Sequence, residues 1–405
     1  MLINRTLSLM AVGLLVLQTA ASAFGQGLQG MQLFAPAELS ASYGKGQQPN
    51  EGFFFVFDGL YWSISTPRVT TVGKEGLTRN AYVVTPGQEF AAPRDQIVQY
   101  NELDTGDFQA LFTAGNRIEF GRVTDNHGWM VSLFQLQGMS QSILAYNVDM
   151  VFDEASTGSP AHLPLDGRFT NGAPPPAPAT FLVPLALTFS NVLLRNDTSM
   201  FSIEADYIGR SNELHNGGFF EWYMGPRYIE FNDTFTVNAQ GSQTLADSYW
   251  TTEAENHIIA GQIGARLWKK RGRWMLSSEG RFLAGLNCQN IHQNGELGGG
   301  PNPIVPGTLD NAQPYYLGPT AIPHNEFLRT FSPGLELRID ARYQITRSVS
   351  FRAGWTGLWL DRIARGSDMI NYTLDPEHTM MGILSDHNRD NVLVNGLTIG
   401  IDINR

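Results

Sequence analysis

Residues 333–346 (PGLELRIDARYQIT) alternate in hydrophobicity without exception through their central part. Leu335, Leu337, Ile339, Ala341, Tyr343 and Ile345 form one series; Glu336, Arg338, Asp340, Arg342 and Gln344 form the other. Successive strand side chains point to opposite faces, so this segment reads as a strand with one apolar and one charged face. After a break at Thr346-Arg347-Ser348 the pattern resumes, with Val349, Phe351, Ala353, Trp355 and Trp359 on one face and Ser350, Arg352, Gly354 and Thr356 on the other. With residues 345–347 as the loop, Gln344 sits opposite Ser348, and both apolar rows fall on the same side. Two long neighbouring strands of this kind predict a transmembrane β-barrel hairpin, apolar towards lipid and polar towards an enclosed centre.

The same period of two recurs along the chain. Residues 52–64 are aromatic on both faces, so they predict a strand without fixing its register. Phe201, Ile203, Ala205 and Tyr207 oppose Ser202, Glu204 and Asp206. Ile259, Ile263, Ala265 and Leu267 oppose Gln262, Gly264 and Arg266, and Trp274, Leu276, Phe282, Ala284 and Leu286 oppose Ser277, Glu279 and Arg281. At the end of the chain Leu393, Leu397, Ile399, Ile401 and Ile403 oppose Val394, Gly396, Thr398, Gly400 and Asp402. Short links near 123–128, 211–217, 269–272 and 345–348 alternate with long polar or proline-rich ones at 65–107, 139–198, 232–256, 288–328 and 364–389. That alternation predicts an all-β, antiparallel barrel of ten strands with short periplasmic turns and long extracellular loops. It places PLALTFSNVLL (184–194) inside the second long loop; counting it as a strand would give twelve.

The first residues change the compartment. Arg5, an apolar run over residues 6–17 and Ala21-Ser22-Ala23 have the layout of a secretory signal peptide over residues 1–23. Residues 24–50 then read as a flexible lead-in and residues 51–405 as the barrel. No stretch is long and apolar enough for a membrane helix. The net charge of −11 speaks against nucleic acid as a partner, since phosphate binding draws on clustered Lys and Arg. A single cysteine, Cys288, leaves no intramolecular disulfide framework.

Candidate chemistry lies on the polar faces. Glu204, Asp206, Arg210, Glu279, Arg281, Glu336, Arg338, Asp340, Arg342 and Arg352 are the expected lumen-lining residues. They make either a charged constriction that passes ions or small polar solutes, or a salt-bridged plug, because at eight to ten strands side chains can fill the interior. Leu335, Leu337, Ile339, Tyr343, Phe351, Trp355, Trp359, Ile399, Ile401 and Ile403 are the expected lipid-facing residues, and Trp62, Trp222, Trp274, Trp355 and Trp359 the expected girdle. His378 and His387 with Asp375, Asp386 and Asp390 form one acidic and histidine-bearing loop, the basis for a less favoured rim-sited hydrolase. The eight histidines fall mostly in loops or at strand ends, none at metal-ligand spacing, and there is no nucleophile elbow, phosphate loop or dinucleotide fingerprint. The expectation is therefore no enzyme, no cofactor and no metal.

Four stretches resemble a known family: SIEADYIGR (202–210), MGPRYIEFNDTFTV (224–237), residues 252–267 with their continuation RWMLSSEGRFLAGL (273–286), and FRAGWTGLWLDRIARGSD (351–368), joined by GLYW (59–62). They are similar to the planctomycete family named putative beta-barrel porin-7. The resemblance implies an exported outer-membrane barrel, with lipid and the outer-membrane assembly machinery as partners and no catalytic motif to carry over. Thr398, Gly400 and Ile403 fit the C-terminal assembly signal of such barrels, whereas Arg405 stands where an aromatic is usual. The functional expectation is a porin or passive channel with a charged lumen. The alternative is a structural or adhesion barrel with a plugged one.

Overall fold

The computed structural model describes residues 51–73, 77–80, 96–99, 103–150, 187–212, 214, 218–241, 247–297, 320–372 and 381–404. The expected signal peptide and lead-in lie outside these. Ten long strands follow one another: β1 (Gly52–Ile64), β2 (Phe112–Thr124), β3 (His127–Met150), β4 (Leu187–Arg210), β5 (Gly218–Gln240), β6 (Ser248–Arg271), β7 (Trp274–Leu297), β8 (His324–Gln344), β9 (Val349–Ile363) and β10 (Asp390–Asn404). Each pairs antiparallel with its chain neighbour, and β1 pairs with β10 from Phe54↔Asn404 to Ile64↔Val394, which closes the ring. The protein is a transmembrane antiparallel β-barrel of ten strands. Closure leaves the wall no unpaired edge in lipid, where a bare backbone N–H or C=O has no partner. Among the described residues no helix is long and apolar enough to cross a membrane.

The turns at one end are tight, as the register demands. Thr124 pairs with His127 and Arg271 with Trp274, leaving two-residue connections in which Asp125 (φ 55°) and Gly272 (φ +60°) take the left-handed conformation. These are residue types that tolerate it. The β8–β9 hairpin is longer than expected. Gln344 faces Ser350, not Ser348, so residues 345–349 form the link. The slip is two residues, which keeps every side chain on its expected face.

The outer face carries an apolar belt. Leu335, Leu337, Ile339, Phe351, Trp355, Trp359, Ile399, Ile401 and Ile403 are exposed there, and Tyr343 is half-exposed. Of the expected girdle, Trp222, Trp274, Trp355 and Trp359 lie on this surface. Trp62 does not: it is buried inside, its indole N–H donating to Thr398 Oγ1 at 3.3 Å, because its neighbours Tyr61 and Phe57 take the outward positions of the doubly aromatic β1. On β7 the belt runs from Trp274 to Leu286. Twelve steps of ~3.3 Å, tilted by ~40°, rise about 30 Å, the thickness of a bilayer's hydrocarbon core.

Strands β3 to β7 hold 23 or 24 residues and β8 holds 21, whereas β1, β2, β9 and β10 hold 13 to 15. The six long strands therefore climb well past the belt as a curved half-wall. This overturns the loop limits read from the pattern. Residues 187–194 are neither loop nor separate strand but the first third of β4, residues 139–150 extend β3, and only 241–247 separate β5 from β6. Consequently His292, expected in a loop, and His257, expected at a strand end, both sit well inside strands. The physical reason is an inversion. On β5 the belt residues Phe220, Trp222 and Met224 point out while Glu221 and Arg227 point in; higher up, Glu230, Asn232, Thr234 and Thr236 point out while Phe231, Phe235 and Val237 point in. Above the belt water bathes the outside, so the greasy face turns inward, as in a soluble sheet.

That upper inner face is covered by chain folded into the mouth. Val72, Leu103, Phe108, Ile370, Tyr372 and Met381 pack on Val192, Leu194, Phe235, Val237 and Trp250 as one buried cluster, with the Trp250 indole N–H donating to the Tyr372 hydroxyl at 3.1 Å. Trp250→Ala is expected to cost this cluster about 3–5 kcal/mol. Limited proteolysis should then cut the half-wall, while the heat-modifiable band of the membrane portion persists on gels.

Candidate functional site

The inner face is stacked in layers, and β5 displays them in order: Phe219, then Glu221, Tyr223 and Arg227, then Ile229 and Phe231, then Asp233, then Phe235, Val237 and Ala239. Level with the lipid belt, above a floor that includes Phe54, Val123, Phe219 and Met275 at the short-turn end, the layer is ionic. It holds Glu204, Asp206 and Arg210 of β4, Glu279 and Arg281 of β7, Glu336, Arg338, Asp340 and Arg342 of β8 and Arg352 of β9, all buried. To these the structure adds Asp58, Arg117, Glu119, Glu221, Arg227, Arg266 and Asp402, also buried.

The pairs span the ring and do not only follow its wall. Arg338 Nη1 on β8 reaches Glu119 Oε1 on β2 at 2.9 Å, and Arg352 Nη1 on β9 reaches Glu119 Oε2 at 3.2 Å. Arg281 Nη1 on β7 donates to Glu204 Oε1 on β4 at 2.6 Å, while Arg227 on β5 bonds Glu336 on β8. Gln262 Nε2 on β6 donates to Asp206 Oδ1 on β4 at 2.8 Å. Towards the short turns Arg210 pairs with Glu221 at 2.6 Å, the Trp268 indole N–H donates to Glu221 Oε2 at 2.6 Å, and Arg342 pairs with Asp402. Guanidinium groups also lie over rings: Arg281 and Arg266 over Tyr223 at 5.1 and 5.0 Å, and Arg342 over Trp268 at 4.5 Å.

Room for these groups comes from glycine. A Cβ on Gly354 would lie 2.2 Å from Asp340 Oδ1, and one on Gly400 would lie 2.1 Å from Asp58 Oδ1, so both carboxylates rest on bare backbone of the neighbouring strand.

Above the ions lies an apolar layer of Leu60, Trp62, Phe134, Met200, Ile258, Leu283, Leu358 and Val394. Above that, a polar tier grips a strap that enters after β9. Asn256 closes two bonds on one residue, accepting from Ala364 N at 2.8 Å and donating to Ala364 O at 2.9 Å. Asp233 accepts from Gly366 N at 2.9 Å and from Thr198 Oγ1 at 2.8 Å, and lies 3.3 Å from Arg365 Nε. Gln289 and Asn388 exchange a bond of 2.8 Å. The strap leaves β9 and is gripped by β5 and β6, four and three strands away around the ring, so it reaches far across the interior. Farther along it, burial pushes the Asp368 carboxyl above its ordinary range against the Thr70 hydroxyl and Arg68, and burial likewise raises the Tyr372 phenol.

Of the rim residues, His387 and Asp386 lie in the short turn Ser385–His387 and Asp390 begins β10; Asp375 and His378 fall outside the described residues. Among the described residues no group of three or more His, Cys, Asp or Glu is arranged to hold a metal ion.

Asp58 is not legible in the sequence because β1 is aromatic on both faces. Arg117 and Glu119 alternate with Ile118 and Phe120 in the same period of two as β8, a signal strong enough to have found them. Removing one member of a buried ion network leaves its partners charged and unpaired. Arg281→Met is thus expected to cost about 3–5 kcal/mol in urea unfolding of the refolded barrel. Arg195→Met, in the exposed pair with Asp197, is expected to cost about 0–1 kcal/mol in the same assay.

No curated protein matches the sequence. Among solved structures, the outer membrane protease OmpT of Escherichia coli aligns with 9% identity and a TM-score of 0.35, covering 89% of this chain and 99% of that one. A FadL homologue of Pseudomonas aeruginosa aligns with 6% identity and a TM-score of 0.22, covering 91% and 98%. A mutant of the monoaromatic hydrocarbon channel TodX aligns with 9% identity and a TM-score of 0.21, covering 94% and 100%. Likeness at that level carries nothing about function. The family match is of another kind, running over residues 75–404 and so over most of the chain. With the closed ten-strand ring, the outward apolar belt and that match together, the chain belongs to the family described as Putative beta barrel porin-7.

Proposed function

We propose that this chain works in the outer membrane as a surface-presenting barrel whose interior is a structural plug. The observation that carries the reading is how completely the interior side chains are buried. Glu336, Arg338, Arg281 and Leu283 are each 1% exposed, although they sit midway along the barrel where a conducting pore would be wet. Three further tiers lie above: the apolar layer, the strap on Asp233 and Asn256, and the upper hydrophobic cluster. What remains for partners is the half-wall above the lipid, with polar residues outside and a core of its own.

A second reading, a passive channel for ions or small polar solutes along the charged residues, draws on the family match and on the ionic tier itself. Passage would require the ion pairs to part and the strap to withdraw.

Planar-bilayer recording of the purified, refolded protein separates the two. The plugged barrel is expected to show a silent baseline across applied voltage while running as a heat-modifiable band. Discrete open steps, altered in amplitude by Arg338→Gln, would overturn the plug in favour of the channel.

A further inference from the structure

The outer surface is not uniform in charge along the barrel axis. Above the belt Glu230, Glu253, Glu255 and Glu296 face outward, while Asp197 is paired with the exposed Arg195. At the opposite end, the turn between β6 and β7 reads KKRGR over residues 269–273, four basic residues in five in a chain of net charge −11. Lys269 and Arg271 are exposed, and the strand register puts Lys269 opposite Leu276 and Arg271 opposite Trp274. Leu276 and Trp274 are 54% and 56% exposed on the lipid side, and Trp274 packs against Tyr343 at 5.0 Å between ring centroids. Among the described residues no carboxylate pairs with Lys269, Arg271 or Arg273. The turn is also stiff: Gly272 is committed to φ +60° and the Arg273 carbonyl accepts from Gln344 N at 2.9 Å. The other short turns have no such run, with Asp125-Asn126 after β2 and a single arginine, Arg347, after β8.

Unpaired cations directly above an aromatic and aliphatic wall match one chemistry: a phosphate group in register with acyl chains. We propose that Lys269, Arg271 and Arg273, with Trp274 and Leu276 beneath them, form a binding site for an anionic glycerophospholipid in the leaflet at the short-turn end. The inference rests on the membrane-barrel reading and goes beyond it. A soluble partner would gain from the charges but not from the exposed apolar residues in register with them. A zwitterionic lipid would gain from the apolar wall but not from the charges. Each basic residue near the phosphate plane enriches an anionic lipid on the order of fivefold, less as salt rises.

The test uses the full barrel refolded into vesicles of equal parts phosphatidylcholine and phosphatidylglycerol, in which one lipid at a time carries brominated chains that quench tryptophan. The wild-type protein is expected to be quenched more by brominated phosphatidylglycerol than by brominated phosphatidylcholine, and raised ionic strength should erase the difference. The K269Q/R271Q/R273Q variant, changed at the exposed Lys269 and Arg271 and the half-exposed Arg273, is expected to fold with the same heat-modifiable band and to show equal quenching by the two lipids. Equal quenching in the wild type, or a preference unchanged in the variant, would overturn the lipid site and leave the barrel reading standing. Failure of the wild type to insert in either vesicle would overturn both.

Discussion

A strand in hydrocarbon has no water to satisfy its backbone, and most of this architecture follows from that one deprivation. The ring must close, so β1 pairs with β10 along eleven residues from Phe54 to Ile64, and no wall strand within the belt keeps a free edge. Closure sets an inside, and ten strands make that inside narrow enough for side chains to meet across it. Arg338 can therefore reach Glu119 four strands away around the ring. The interior is thus packed by consequence of its diameter.

Filling that space with ions is costly unless each charge finds a partner, because solvation lost on burial is returned only by close opposite charge and by hydrogen bonds. The register meets this condition in a particular way. Acids and bases alternate along β8, and the same alternation on β2 and β7, with the two acids Glu204 and Asp206 on β4, brings complementary groups to the same height. Glycines on the facing strands, Gly354 and Gly400, let the carboxylates of Asp340 and Asp58 settle against backbone. A slip of one residue in any of these strands would turn charges to lipid and leucines to the centre. The ionic tier thus favours one register over its neighbours, whatever its net contribution to stability.

How much of this was legible depended on where along the axis a residue lies. In the belt the rule apolar-out, polar-in is obeyed, so β8, β9, β10 and the lower halves of β4, β6 and β7 could be read directly, and with them the charged tier and the strand count. Above the belt the same strands obey the opposite rule. Thr234, Thr236 and Asn238 alternating with Phe235, Val237 and Ala239 carry the same period with its phase reversed, and against a membrane template they look like loop. Leu187 to Leu194 reads as loop for another reason: the alternation of short and long links leaves no room for a separate strand there, whereas it is the start of β4 itself. Trp62 and Asp58 were hidden differently: β1 is aromatic on both faces, so alternation alone offered no phase, and only its pairing with β2 and β10 assigns Trp62 to the interior.

The inversion also explains why the mouth is closed. Once the outward face of the half-wall is polar, its inward face must be apolar for the sheet to hold together, and an apolar concavity of that size cannot stand open to water. On the side where β9, β10, β1 and β2 stop short there is no wall to supply the covering residues, so the connections that leave those strands have to. Val72 and Phe108 come from the link after β1, and Ile370, Tyr372 and Met381 from the link after β9. The strap needs an anchor in a region with no regular ladder for it, and Asn256 supplies one by offering both a donor and an acceptor to Ala364, in place of the missing strand. Strand length, cap and strap are therefore one solution: a wall that outgrows its membrane must carry its own core, and the shortest strands must send their loops inward to complete it.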